Sequence, residues 1–330
     1  MNLAVLGAGA WGTAMSIALS TRHAVRLWAR DPAVARQIAA GRTNARYLPG
    51  AMLPESILVA EQAGSALADA ELVILAVPTA GLREALRLVA AQGDCADVVW
   101  LCKGFEAGSA KFPHQMAAEE LPAGFRTAAL SGPSFAEEVA RGLPVAVTLA
   151  SHDAMFSDAA ARALHTGRLR VYSSDDLAGA ETGGAVKNVM AIAVGVADGL
   201  NLGASARAAL ITRGLAEITR LGLRLGGRLE TFMGLAGMGD LVLTATSDLS
   251  RNRRVGLQLA AGRPLSRILA ELGHVAEGVN TAREVQRLAQ QFGIDMPITD
   301  TVCRLLDNRV SAPEAVEELL QREPKSESGR

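Results

Sequence analysis

Apolar positions along the chain follow two regimes. In the first half, short apolar runs alternate with stretches of helical spacing. The runs are Asn2–Leu6, Ala24–Trp28, Ile57–Ala60, Leu72–Val77, Val98–Cys102, Thr127–Leu130, Val145–Ala150 and Leu169–Tyr172. Leu72–Val77 is almost continuously apolar, the pattern of a parallel strand covered on both faces, and Pro78 ends it. After Tyr172 the strand signals stop. Helical spacing dominates over Ala178–Leu200, Ala204–Leu221, Asn252–Ala261, Thr281–Phe292 and Pro313–Gln321. A βα array followed by a run of helices predicts two domains. The expected fold is α/β, an N-terminal Rossmann-type doubly wound, mostly parallel sheet plus an all-α C-terminal domain. The expected boundaries are 1–174 and 175–322, with a polar, disordered tail over 323–330.

The stretch from Ala178 to Leu200 is apolar nearly all round, which predicts a buried helix. Lys187 is its only basic residue. Gly183 and Gly184 weaken a helix by roughly 1 kcal/mol each, and such pairs let another group approach the backbone closely. A lysine in apolar surroundings loses hydration, which lowers its pKa and fits it for acid–base work near neutrality. The alternative is that Lys187 reaches solvent or pairs with Glu181.

Asn2–Leu6 runs into Gly7-Ala-Gly9-Ala10-Trp11-Gly12, followed by helix formers and a second strand. This is the context that a dinucleotide fingerprint requires. Gly7 permits the tight turn, Gly9 a close approach of the pyrophosphate, and Gly12 the packing of helix on strand. The helix start then offers unpaired N–H groups to the phosphates. Trp11 either covers the pyrophosphate or packs in the core. The second strand ends in Ala29-Arg30-Asp31-Pro32, with no carboxylate directly at its end. An arginine there accommodates a 2′-phosphate, so NADPH should be accepted at least as well as NADH. Asp31 before Pro32 suits a helix cap.

Composition narrows the field. The net charge of −1 gives no bias toward nucleic acid or an anionic membrane. The three cysteines lack C-x-x-C spacing and the histidines lack H-E-x-x-H, so neither a disulfide framework nor a metal site is expected. Met1 leads into a short apolar run without a basic segment, which argues against a signal peptide. A cytoplasmic protein is expected. The glycines and lysine around Met190 make that run a core helix and not a membrane span.

Four loops carry chemistry. Lys103-Gly104 follows a buried strand, and Ser131-Gly132-Pro133-Ser134 follows another. In open α/β sheets, ligands bind beyond the carboxyl ends of strands, so these residues can meet in one crevice. Gly234–Asp240 is glycine-dense and ends in a carboxylate that either caps the next helix or orients a substrate hydroxyl. Ser250-Arg251-Asn252-Arg253-Arg254 reads either as a phosphate clamp or as a solvated helix start. Arginines at a helix start oppose its dipole, and an anion there would relieve the penalty.

In these motifs the chain resembles the bacterial NAD(P)-dependent glycerol-3-phosphate dehydrogenases. The resemblance rests on Gly7–Gly12, Lys103-Gly104, Ser131–Ala136, Gly183–Asn188, Gly237–Asp240 and Ser250–Arg254. It implies reversible hydride transfer between NAD(P)H and dihydroxyacetone phosphate, giving the glycerol 3-phosphate used for phospholipid synthesis. It also implies that Lys187 is the proton donor and acceptor. Lys103, Gly132, Ser134, Asn188, Asp240, Ser250, Arg251 and Asn252 would line the substrate site with it. Trp11, Arg30, Lys103, Ala136, Arg251, Val275 and Glu277 would join Gly7, Gly9, Ala10 and Gly12 in meeting NADPH or NADH. Thr182 stands where an aliphatic residue is expected, which leaves its local packing open. The expected partner is a phosphorylated triose, with no nucleic acid and no membrane, and a homodimer is plausible from the apolar helical half. Two rival readings are a related Rossmann/helical hydroxyacid dehydrogenase that clamps a carboxylate and a non-catalytic NADPH-binding sensor. The arginines at 251, 253 and 254 suit a dianion better than a carboxylate, and the presence of Lys103, Lys187 and Asp240 argues against the sensor.

Overall fold

A computed structural model of the chain describes residues 1–92, 97–272 and 276–322. Val275 and the expected tail over 323–330 lie outside them. The strands are β1 (Asn2–Leu6), β2 (Ala24–Trp28), β3 (Thr43–Asn44), β4 (Leu48–Met52) and β5 (Leu58–Ala60). They continue with β6 (Leu72–Leu75), β7 (Asp97–Trp100), β8 (Thr127–Ser131), β9 (Val145–Ala150) and β10 (Leu169–Ser174). Eight of them form one sheet in the order β10-β9-β8-β7-β6-β1-β2-β5. Every pairing in it is parallel except β8 with β9, so the sheet is mostly parallel, as the apolar runs predict.

The order reverses at β1, which lies between β2 and β6. A crevice opens at such a switch point, beyond the carboxyl ends of the strands. Helices cover both faces: α1 (Ala10–Leu19), α2 (Pro32–Gly41), α3 (Ala63–Leu67), α4 (Leu82–Ala90), α5 (Pro113–Glu120), α6 (Ala136–Ala140) and α7 (Ala154–Leu164). The two resulting cores interleave along the strands. Leu3, Val5, Leu27, Leu72 and Ile74 face one core, and Ala4, Leu6, Val73, Leu75 and Trp100 the other. This alternation is the period-2 geometry of a strand buried on both sides.

The small antiparallel pair β3–β4 was not legible in the apolar pattern. It places the fully buried Asn44 under the first glycine turn.

The second half is helical. Its elements are α8 (Leu177–Gly199), α9 (Gly203–Arg224), α10 (Leu229–Met233), α11 (Asp240–Thr246) and α12 (Arg251–Ala260). The series ends with α13 (Leu265–Leu272), α14 (Glu277–Phe292), α15 (Pro297–Leu306) and α16 (Ala312–Leu320). The helix predicted around Lys187 is α8, buried along nearly its whole length. The Asp176 side chain caps it by accepting from Gly179 N at 2.9 Å. Around α8 pack α9, α11, α12 and α14.

Glycines make that packing close. A Cβ on Gly195 of α8 would lie 2.1 Å from the Arg253 carbonyl oxygen, and one on Gly256 of α12 would lie 2.1 Å from that of Ile192. The two helices therefore cross backbone to backbone, which no residue with a side chain would permit.

Candidate active site

The glycine turn is built as its sequence requires. Gly7 has φ +115°, and a Cβ there would lie 2.5 Å from the Ala76 carbonyl oxygen. A Cβ on Gly12 would lie 1.9 Å from the Gly7 carbonyl oxygen, so this glycine lets α1 seat against the turn. Around Gly9 nothing lies within 4 Å of where a Cβ would stand. The middle glycine alone of the three faces open space, which is the shape a pyrophosphate cradle needs. Ala10 opens α1 and Trp11 is half-buried against the core beneath, as is Ala136 at the start of α6. Asn44 holds the turn from below, donating to the Ala8 carbonyl at 2.9 Å and to Thr13 Oγ1 at 2.8 Å. Sequence reading missed Asn44, because a lone asparagine in a polar stretch carries no local signal. Asp31 accepts from Ala33 N at 2.9 Å and caps α2, leaving Arg30 the charged group at the end of β2.

The second cluster centres on Asp240. Its carboxylate is buried and accepts from two ammonium groups. Lys187 donates to Oδ1, and Lys103 donates to Oδ2 at 2.6 Å. Lys187 also donates to Thr244 Oγ1 at 2.9 Å, and Lys103 to the Gly132 carbonyl at 3.1 Å. The cap of α11 is Gly239, without a side-chain bond, so Asp240 is not the helix cap that its position suggested. Its carboxylate is drawn instead to two cations from other elements. Glu181 is not the partner of Lys187 either. It is buried six residues earlier on α8 and accepts from Trp100 Nε1 at 3.0 Å and His114 N at 3.1 Å, tying α8 to the sheet.

Burial is the main influence on Lys187 and pushes its pKa down to about 7, against the pull of Asp240 and with the push of Lys103. An ammonium has three N–H donors. Two of those on Lys187 are engaged by Asp240 and Thr244, which leaves one for a ligand oxygen. Two lysines on one carboxylate leave a surplus positive charge in a site shielded from water. Such a charge stabilises an oxyanion far better than it would in bulk solvent.

Glycines bring the walls together here too. A Cβ on Gly183 would lie 2.4 Å from the Ala236 carbonyl oxygen, and one on Gly184 would lie 2.6 Å from Ser131 Oγ and 3.5 Å from the Lys103 side chain. The pair thus admits the Leu235–Gly239 segment on one side, which is a π-helical turn and not the loop its glycines suggested, and the residues at and just beyond the ends of β7 and β8 on the other. Thr182, the unexpected residue before them, is fully buried and donates back to the Ala178 carbonyl at 2.7 Å. Gly132 has φ +128° and a Cβ there would lie 3.0 Å from Val147 Cα, while Ser134 donates to the Gly132 carbonyl at 3.0 Å. The buried Ser131 hydroxyl finds no partner among the described residues.

Immediately after Lys187 on α8, Asn188 accepts from Asn252 Nδ2 at 2.9 Å, and Asn252 Oδ1 accepts from Gly278 N at 3.0 Å. This chain of bonds joins α8, α12 and α14. Ser250 caps α12 by accepting from Arg253 N at 3.2 Å. Of the three arginines, Arg253 turns inward and pairs with Asp198 at 2.7 Å and Asp248 at 2.6 Å, so it is structural. Arg251 and Arg254 stay exposed. Glu277 opens α14 and accepts from Thr79 N at 3.3 Å, next to Gly104. Burial raises its pKa, opposed by that bond and by the charge of Arg251. No group of metal-ligating side chains occurs among the described residues, and no helix there is long and apolar enough to cross a membrane.

Comparison with known proteins gives the same picture from outside. Residues 2–157 match the N-terminal family of NAD-dependent glycerol-3-phosphate dehydrogenase, and residues 176–317 match its C-terminal family. The chain is 59% identical over 327 residues to glycerol-3-phosphate dehydrogenase (NAD(P)+) of Dechloromonas aromatica, covering 99% of both chains. It is 58% identical over 331 residues to the protein of the same name from Nitrosospira multiformis, again covering 99% of each. The crystal structure of glycerol-3-phosphate dehydrogenase from Coxiella burnetii superposes with a TM-score of 0.92 at 42% identity, over 97% of this chain and 98% of that one.

Proposed function

The chain belongs to the NAD-dependent glycerol-3-phosphate dehydrogenase family, and from that premise we propose that Lys187 exchanges the proton while Arg251 and Asn252 hold the substrate phosphate. The protein is an NAD(P)-dependent oxidoreductase that interconverts dihydroxyacetone phosphate and glycerol 3-phosphate. Residues 1–174 form the dinucleotide-binding domain and 175–322 the helical substrate-binding and catalytic domain, with residues of each reaching the other's ligand across the crevice. The observation that carries the catalytic assignment is that one buried carboxylate, that of Asp240, holds both Lys187 and Lys103.

When bound, the nicotinamide exchanges a hydride with C2 of the triose. The residues of the chain manage everything else. The free N–H of Lys187 meets the C2 oxygen, stabilises negative charge as it develops there, and delivers the proton. In the opposite direction the neutral amine takes the proton back. Asp240 keeps the amine in place, with Lys103 beside it to lower its basicity. Lys103 and Asn188 orient the hydroxyl groups, with Gly132, Ser134 and Ser250 shaping the pocket around them. Arg251 and Asn252 anchor the phosphate away from C2, so its binding energy serves to position the reacting carbon. Gly7, Gly9, Ala10, Trp11, Gly12, Arg30, Ala136, Val275 and Glu277 serve the dinucleotide, with Lys103 and Arg251 reaching it from the substrate side.

A direct assay tests the reading. NADPH oxidation should proceed with dihydroxyacetone phosphate and not with simple oxoacids. The reverse result would establish a carboxylate-clamping relative, and no turnover with either would favour the non-catalytic sensor.

The pH dependence follows from Lys187. Reduction of the ketone needs the ammonium, so kcat/KM in that direction should fall as pH rises through about 7. Oxidation needs the neutral amine and should rise across the same interval. Asp240→Asn removes the charge that favours the ammonium, so both midpoints should move to lower pH. Profiles of initial rate against pH at saturating cofactor check this, and a midpoint unmoved by the substitution would contradict the coupling.

Three wider assignments belong to the same proposal. The product feeds phospholipid synthesis, the protein works in the cytoplasm, and it functions as a homodimer. Free Cys102 and Cys303 support a reducing compartment. The apolar character of the helical half supports self-association.

A further inference from the structure

Arg30 lies two residues beyond β2, and Glu84 lies in the first turn of α4, which follows β6. These two strands flank β1, whose carboxyl end carries the Gly7–Gly12 turn. The two side chains therefore stand on opposite banks of the crevice above the turn. Their charged ends nevertheless approach to 3.7 Å. Both are largely exposed, at 77% for Arg30 and 63% for Glu84, so mutual attraction and not packing holds them. The neighbouring Arg83 does not neutralise Glu84. Its guanidinium turns away to Glu106, Glu119 and Glu120.

We propose that Glu84 is a specificity-determining residue, whose carboxylate competes with the 2′-phosphate of NADPH for the guanidinium of Arg30. The inference rests on the reading of Arg30 as the group that meets that phosphate. Carboxylate and phosphate draw on the same N–H groups of a guanidinium, so a 2′-phosphate that takes the Nη1 edge of Arg30 must displace the Glu84 carboxylate beside it. NADPH must part the pair and gains the arginine in exchange. NADH brings no second anion to Arg30, and its binding leaves the pair largely undisturbed. Glu84 thus narrows the advantage that Arg30 alone would give to NADPH and keeps both cofactors usable.

The test compares dissociation constants for NADPH and NADH in the full-length protein, read from the quenching of tryptophan fluorescence. Glu84→Gln keeps the shape of the side chain and removes its charge. It should tighten NADPH relative to NADH by about two- to five-fold, the scale set by an exposed ion pair. The gain should shrink at high salt, where exposed charges are screened. Arg30→Ala should weaken NADPH relative to NADH, and adding Glu84→Gln to that variant should then gain nothing. If Arg30→Ala shifts the ratio and Glu84→Gln does not, the competition is refuted while the role of Arg30 stands. If Arg30→Ala leaves the ratio unchanged, the reading of Arg30 falls and the inference with it. A gain from Glu84→Gln that persists without Arg30 would mean plain repulsion of the phosphate and would also overturn the competition.

Discussion

Replacing Lys187 with alanine should lower turnover by roughly 10²–10⁴-fold, the usual scale for loss of a general acid. The Michaelis constant for the triose should change much less, because its phosphate is anchored by other residues. The effect is predicted to be large for two reasons. The amine supplies the proton, and it also brings positive charge to the oxygen where negative charge develops. Its amine is held between Asp240 and Thr244, and a water filling the space left by alanine would bring no positive charge to that oxygen. Lys187→Arg should not rescue the rate. A guanidinium holds its proton too tightly to deliver it in reduction, and for the same reason cannot take one up in oxidation. Single-turnover measurements with NADPH and dihydroxyacetone phosphate would decide the matter. Parent-like rates in the alanine variant would remove Lys187 from the chemistry.

The second large effect is on stability. Gly256→Val should destabilise the fold by at least about 3 kcal/mol, the upper range for forcing atoms into a packed interior. A side chain there meets the Ile192 carbonyl and the Gly195 backbone, neither of which can rotate away. Only separation of α8 from α12 makes room. Asn252 sits one turn earlier on the same face of α12, hydrogen-bonded to Asn188. The same substitution should therefore raise the Michaelis constant for the triose in whatever protein still folds. Urea unfolding and steady-state kinetics measure the two consequences separately. An unchanged unfolding midpoint would mean that the crossing tolerates a wider spacing.

Some of this site is legible in the chain because its constraints are local. The strand, the glycine turn and the helix start occupy adjacent residues, and each glycine has a backbone reason to be there. The buried character of α8 follows from its composition alone. Asp240 is different: capping is the ordinary role for an aspartate before a helix, and only the fold brings Lys103 and Lys187 to it. Thr244 was missed for the same reason, since a threonine inside a short helix has no distinguishing neighbour. Asn44 likewise acts through a turn far behind it in sequence. The arginine cluster carries part of its own signal. Val255, Gly256 and Leu259 set the buried phase of α12, and the same phase turns Asn252 inward while leaving Arg251 and Arg254 outside. The inward turn of Arg253 follows from its pairing with Asp198, which no local pattern reveals.

The carboxylate at position 240 joins two lineages of structure, since one of its cations arrives on a sheet loop and the other on a helix. Neither half of the chain then carries a finished catalyst. Transplanting the helical half from a distant homologue, as one would to change the sugar recognised, would succeed only if the donor presents an acid at the same point. Otherwise Lys103 would face the incoming phosphate ester without its counter-ion, and the hybrid would bind substrate avidly yet turn it over slowly.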